Sequence, residues 1–301
     1  MTARHRLIVD WGTSNFRAFR FDEAGEVAET RQAPRGILTV EGGGFEAVLL
    51  AQIGDWIDES TEILLSGMIT SRNGWLETPY IEAPARFDDL RNSAVTSRLA
   101  QGTPLLFLPG VCTRHPTPDV MRGEEIQVFG AIGPNEDSTL VLPGTHSKWV
   151  RTKGGALADF RTFMTGEVFA TLKAHTILGR LMPQEAGPFD EASFVTGVKQ
   201  AQTGGAGLLH DLFTTRSGVL LSQLAPEAAA DRLSGLLIGA EIAGGIALGW
   251  ADRPILLVGD PALCGRYRLA LESLDLSAHL GPAQPTVEGF RKLAMLEGKA
   301  V

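Results

Sequence analysis

Asp10 closes an apolar run and is followed by Trp11, Gly12, Thr13, Ser14 and Asn15, with Arg17 just beyond. A carboxylate in that place can hold Mg²⁺ directly or through its waters, while Gly12–Asn15 present hydroxyl and backbone donors to phosphate oxygens. Alone, Asp10 would serve equally well as an ordinary turn cap. The stretch LIVDWGTSNFRAFRFDEAG at 7–25, however, has an echo in LVLPGTHSKWVRTKGG at 140–155. Gly144, Thr145, His146, Ser147 and Lys148 keep the donors, but Leu142 stands where Asp10 stood. One metal carboxylate suffices for a polyphosphate, and a second would repel it. Lys148 either meets phosphate charge or is a solvated lysine; His146 fits a turn residue or phosphate donor better than a general base. Thr13, Ser14, Thr145 and Ser147 would then grip one triphosphate from both sides, which points to ATP and phosphoryl transfer.

Such transfer to a sugar hydroxyl needs a carboxylate to accept the proton. The segment PDVMRGEEIQVFG offers Asp119, Glu124 and Glu125, although acids in a helix first turn are also favourable on their own account. Arg122 beside them, or Arg72, suits a substrate carboxylate or a phosphoryl group in transit. In SGMITSRNGW, Ser71, Arg72 and Asn73 precede Trp75, with Tyr80 further on. Polar groups against an aromatic wall suit a small polyhydroxylated acid, while Arg72 and Glu77 would equally form a surface ion pair. Gly239 on a long helix and Gly259 at a strand end are candidates for the adenosine side, and Gly244 and Gly245 for close helix packing.

The elements that must position these groups follow from periodicity. Strands are expected at 6–10, 15–21 and about 26–32, then a helix over FEAVLLAQIGDWID, a buried strand ILLSGM and another, PLLFLPGV. CTRHPTPDVM reads as a proline-marked loop leading to a helix at RGEEIQVFGAIG. After a polar break at PNEDS come the second hairpin, the strand ALADFRTF, helices, and a strand–Gly–helix unit, ILLVGDPALCGRY. Ligands of open α/β sheets sit at such strand ends. The boundary falls there: an N-terminal domain, 1–136, carries the first hairpin and the substrate loops, and a C-terminal domain, 137–301, carries the second hairpin and the adenosine side.

Composition fits this picture. The chain has 301 residues, 44% hydrophobic and 21% charged, as in a soluble globular protein of about two domains. A net charge of −8 argues against nucleic acid or an anionic membrane as partner. No apolar stretch is long enough to span a bilayer, and the N-terminus has no signal-peptide pattern, so a cytoplasmic location is expected. The two cysteines, Cys112 and Cys264, read as reduced thiols, and the six histidines lack metal-ligand spacing.

The runs DWGTSNFRA, SGMITSRNGW, PDVMRGEE, LPGTHSKWV, FRTFMTGE, SGLLIGAEI and LVGDPALCGRY, in this order, resemble the 2-dehydro-3-deoxygalactonokinase family of the sugar kinase, Hsp70 and actin superfamily. The resemblance implies an α/β protein of two ribonuclease-H-like (actin-like ATPase) domains. Each has a mixed sheet flanked by helices, with ATP and Mg²⁺ in a cleft between the domains. It also implies phosphorylation of 2-keto-3-deoxygalactonate to its 6-phosphate, in galactonate catabolism, with domain closure excluding water. Other readings are a kinase of the same superfamily acting on another sugar or keto-deoxy sugar acid, and a non-enzymatic actin-like ATP switch. A homodimer is compatible with all three.

Overall fold

The computed structural model describes residues 6–295 except Glu23, Gln184, Ala186 and Gly204. The chain divides into two compact units: Met1–Asp137 with Thr152–Asp159 and Gln284–Val301, and Ser138–Arg151 with Phe160–Ala283. The first cut lies beside the PNEDS break. Sequence reasoning did not anticipate that 152–159 and 284–301 group with the first unit.

The first unit opens with β1 (Arg6–Trp11), β2 (Phe16–Phe21) and β3 (Val27–Ala33), then α1 (Phe45–Ile53) and β4 (Glu62–Ser66). β5 (Ile81–Glu82), α2 (Phe87–Asn92), β6 (Val95–Arg98), β7 (Pro104–Phe107), β8 (Val111–Thr113), β9 (Asp119–Met121) and α3 (Glu124–Ala131) follow. The main sheet runs in the order β3-β2-β1-β4-β7-β6. β1 pairs antiparallel with β2 and parallel with β4. Alternation decides which side chains enter the core. Leu7, Val9 and Trp11 of β1 share one cluster with Ile63 and Leu65 of β4 and with Phe45, Leu49 and Ile53 of α1. The stretch 112–121, expected to be a loop, instead supplies most of β8 and all of β9 in a small sheet, β5-β8-β9. Val111 and Met121 pair across its antiparallel ladder and bury their side chains, which outweighs the proline punctuation.

The second unit contains β10 (Thr139–Leu142), β11 (Ser147–Lys153), β12 (Ala156–Phe163), α4 (Thr165–His175), α5 (Glu191–Thr203), α6 (Leu208–Leu220), α7 (Ala229–Ala247), β13 (Ile255–Leu257), α8 (Pro261–Glu272) and β14 (Ala278–Leu280). Its sheet, β12-β11-β10-β13-β14, reproduces β3-β2-β1-β4-β7 of the first unit strand for strand. Again the first hairpin is antiparallel and the next neighbour parallel. The repeat seen in the turns is thus a repeat of whole sheets, each a mixed sheet flanked by helices as the actin-like ATPase class requires. The final helix, α9 (Pro285–Met295), packs on α3 of the first unit. The approach is close enough that a Cβ on Gly130 would lie 1.9 Å from the carbonyl oxygen of Pro285. None of the described helices is long and apolar enough to cross a membrane.

Candidate active site

In the first unit one cavity of about 800 Å³ opens at the carboxyl end of β1 and beside β4. Its wall includes Asp10, the turn Gly12–Asn15, Arg17, Arg122 and Glu124. The turn is pinned from behind. The carbonyls of Gly12, Thr13 and Ser14 accept from the amides of Ile37, Leu38 and Gly36, at 3.0, 3.3 and 3.0 Å. A Cβ on Gly36 would stand 2.1 Å from the Thr13 carbonyl oxygen, so only glycine permits this approach. With its carbonyls turned away, the turn leaves the side chains of Thr13, Ser14 and Asn15 exposed to the cavity. Gly67, just past β4, adopts φ +88° against Asp10 and Trp11, a conformation that suits glycine.

The cavity sorts the candidate acids. Asp10 is paired with Arg17 directly across the hairpin. Burial pushes its carboxyl up from the ordinary value, Arg17 opposes this, and the charge of Glu124 adds to the rise. Glu124 stands at the start of α3 on the cavity wall and accepts from the Arg122 amide at 3.0 Å. Glu125, by contrast, is only 1% exposed, with both carboxyl oxygens accepting from the Gly123 amide at 2.9 and 2.8 Å. Burial, with Glu124 adjoining, raises it to about 8. Asp119 lies on β9 outside the cavity wall, accepting from the Val120 amide at 2.7 Å. Asp10 and Glu124 are therefore the carboxylates on this wall, among hydroxyl and amide oxygens. Mg²⁺ keeps several waters and takes one or two carboxylates, so this donor set fits it.

Arg122 reaches the cavity but spends its guanidinium on structure. Nη1 donates to the carbonyl and hydroxyl of Thr70 (2.7 and 2.6 Å) and to the Thr78 hydroxyl (2.7 Å), and Nη2 to the Thr78 carbonyl (3.1 Å). It also stacks 4.3 Å from the ring centre of Tyr80. The 70–80 loop is thereby latched to the start of α3. The expected substrate loop fares differently: Ser71 donates its hydroxyl to Met68, and Arg72 and Asn73 are exposed off the cavity wall. Trp75 is half-buried and lies off the cavity wall; it stacks on Phe45 and meets Phe107 edge-on, 6.2 and 5.6 Å between ring centres, packed against the core.

In the second unit, Gly144 and Gly259 lie at the carboxyl ends of the adjacent parallel strands β10 and β13. Gly144 has open space where a Cβ would be, and Gly259, at φ +142°, occupies the place of Gly67 in the first unit. The N-terminus of α4 abuts the turn: the Glu167 amide donates to the Thr145 carbonyl at 3.0 Å, and His146 pairs with the Glu167 carboxylate. Ser147 does not face outward. It is fully buried and donates to Glu241 at 2.6 Å. Lys148 is not solvated either: it is 3% exposed, sits opposite Leu142, and its Nζ donates to the His146 carbonyl at 3.4 Å. This register makes it the counterpart of Arg17, since Asp10 is opposite Arg17 as Leu142 is opposite Lys148. Gly239 belongs to a helix seam rather than a ligand surface. A Cβ there would lie 2.6 Å from the Val198 carbonyl oxygen of α5, and Gly197 and Gly235 are equally tight.

A sequence profile of the 2-keto-3-deoxy-galactonokinase family matches residues 10–293. The 2-dehydro-3-deoxygalactonokinase of Escherichia coli (strain K12) is 34% identical over 284 residues, 93% of this chain and 94% of the relative. The chain belongs to the 2-keto-3-deoxy-galactonokinase family. A probable 2-dehydro-3-deoxygalactonokinase of Rhizobium meliloti (strain 1021) is 39% identical over 294 residues, 95% of each chain. A crystal structure from Sinorhizobium meliloti bearing the same family name superposes with a TM-score of 0.89 at 36% identity, covering 96% of this chain and 98% of that one. For a 2-keto-3-deoxy-galactonokinase, the cavity wall holds further residues that sequence reasoning missed: Gln32, Met68, Gly67 and Gln127. Gly67 carried a usable signal, a strand-end glycine matching Gly259. Glu241, missed as well, carried another: a lone acid between two apolar turns of a helix.

Proposed function

We propose that this kinase transfers the γ-phosphoryl group of ATP to the terminal hydroxyl of 2-dehydro-3-deoxy-D-galactonate, giving the 6-phosphate, as a cytoplasmic enzyme of small molecules. The observation that supports it is the single cavity holding Asp10, the Gly12–Asn15 turn, Arg17 and Glu124. Asp10 would hold Mg²⁺, which when bound neutralises phosphate charge. Thr13, Ser14 and Asn15 orient phosphate oxygens from a turn that cannot shift without breaking the three hydrogen bonds its carbonyls accept. Glu124 is the carboxylate placed to take the proton from the attacking hydroxyl, because Glu125 is turned into the protein and Asp119 lies off the wall. The strand-end turns at Gly144–His146 and Gly259 of the second unit take the nucleotide.

A coupled assay of ADP release over 2-keto-3-deoxygalactonate, 2-keto-3-deoxygluconate and neutral hexoses tests the substrate. Highest kcat/KM on the galactonate derivative supports the reading, and preference for a neutral hexose sinks it. In the same assay Glu124→Gln should lose about two to four orders of magnitude in kcat, the usual range for removing a general base. Asp119→Asn should leave kcat nearly unchanged; the reverse ranking would move the base to Asp119.

A further inference from the structure

Glu241 of α7 is 2% exposed and every acceptor direction of its carboxylate is taken. Oε1 accepts from the Ser147 hydroxyl at 2.6 Å and the Trp149 indole at 2.9 Å; Oε2 accepts from the Tyr267 hydroxyl at 2.7 Å and from the Thr165 hydroxyl. An ionised carboxylate offers about four lone-pair directions and no donor, so four donors match the charged form. The partners come from three different elements. Ser147 begins β11 immediately after the Gly144–His146 turn, Thr165 opens α4 against that turn, and Tyr267 lies on α8, which starts just after Gly259. An apolar side chain in its place would leave four buried donors without an acceptor, so this one carboxylate ties the three elements to one another.

We propose that Glu241 is a positioning residue that holds the Gly144–His146 turn, the α4 N-terminus and the Gly259 turn in one arrangement competent for nucleotide. The proposal rests on the reading that these turns of the second unit take ATP. It does not make Glu241 a catalytic residue: nothing exposed of it could meet a ligand. In the register that matches Lys148 to Arg17, Ser147 takes the place of Phe16 of the first copy, which is likewise fully buried.

Two substitutions separate position from mere stability. Glu241→Gln keeps the shape but turns an amide NH₂ toward two of the four donors. Tyr267→Phe removes one donor from the face of the network farthest along the chain from the turn, and keeps the fold testable if the glutamine variant does not accumulate. Titration calorimetry with the ATP analogue AMPPNP and with the sugar acid, and amide exchange over 144–148, give readouts independent of turnover. Expected are AMPPNP binding weakened about tenfold and faster exchange at 144–148, with sugar-acid affinity changed less than about twofold. Folded variants with unaltered AMPPNP affinity, or with both ligands weakened equally, overturn the role of Glu241 alone. Wild-type protein that fails to bind AMPPNP overturns this role and the kinase reading together.

Discussion

Arg17 donates directly to the Asp10 carboxylate across the β1–β2 ladder, so the acid that would hold a metal ion is already partnered by a cation of its own hairpin. The pair is partly exposed, 41% for the Arg17 side chain and 18% for that of Asp10. An ion pair of that kind contributes about 0–1 kcal/mol to stability. Its value lies in aim rather than strength: it holds Asp10 toward the cavity, where a divalent cation would have to compete with the guanidinium.

Asp10→Asn should therefore lower kcat by about two orders of magnitude or more, the scale of losing preorganised electrostatic stabilisation, while the thermal midpoint barely moves. Steady-state kinetics at saturating Mg²⁺ alongside a melting curve would check it. Near-normal turnover would remove Asp10 from the metal role.

Trp75→Phe separates a core residue from a substrate wall. Its ring packs among Phe45 and Phe107, so the variant should lose about 1–2 kcal/mol of stability and keep its KM for the sugar acid. A raised KM in a fully stable variant would return Trp75 to the substrate.

Glu125 sets a pH dependence with a definite sign. In the unfolded chain it ionises near the ordinary 4.5, and folded near about 8. Between those values folding takes up a proton, so the stability linked to Glu125 is full below about 4.5 and declines by about 1.4 kcal/mol per pH unit until it is gone above about 8. Glu125→Gln has no such proton. The stability of the glutamine variant relative to wild type should rise from pH 5 toward pH 8 by about that slope, as chemical denaturation at several pH values would show. A difference independent of pH would mean that Glu125 folds ionised.

The α5–α7 seam predicts intolerance. A Cβ on Gly235 would fall 2.0 Å from the Phe194 carbonyl oxygen, backbone that cannot step aside. Gly235→Ala should cost about 3 kcal/mol or more, whereas Gly144→Ala, with open space at that position, should cost little stability and act on nucleotide affinity. Melting curves of the two variants settle the contrast.

Where the sequence was legible, the reason is local. The β1 and β10 hairpins are apolar runs around Gly-Thr turns, and α3 announces itself by Glu124 and Glu125 in its first turn. What escaped was register and burial. Six residues, 11–16, separate Asp10 from Arg17, but five, 143–147, separate Leu142 from Lys148. Aligning the copies on Gly-Thr therefore shifted Lys148 by one position and hid its correspondence to Arg17. Trp75, Ser147 and Gly239 look the same in a string whether they face a ligand or another helix; only tertiary packing, with Phe45, Glu241 and Val198, decides. Arg122 likewise offers its charge in the sequence and spends it on Thr70 and Thr78 in the fold.

The docking of α9 on α3 has a consequence for the order in which the molecule can be made. The ribosome finishes residues 138–283, the whole span of the second unit, before it reaches Pro285. The first unit, though begun earliest, waits for the last of these helices before Gly130 and Phe19 meet their partners Pro285 and Phe290. During synthesis the later half can therefore close its core first, leaving the outer face of α3 in the first unit to be covered by α9.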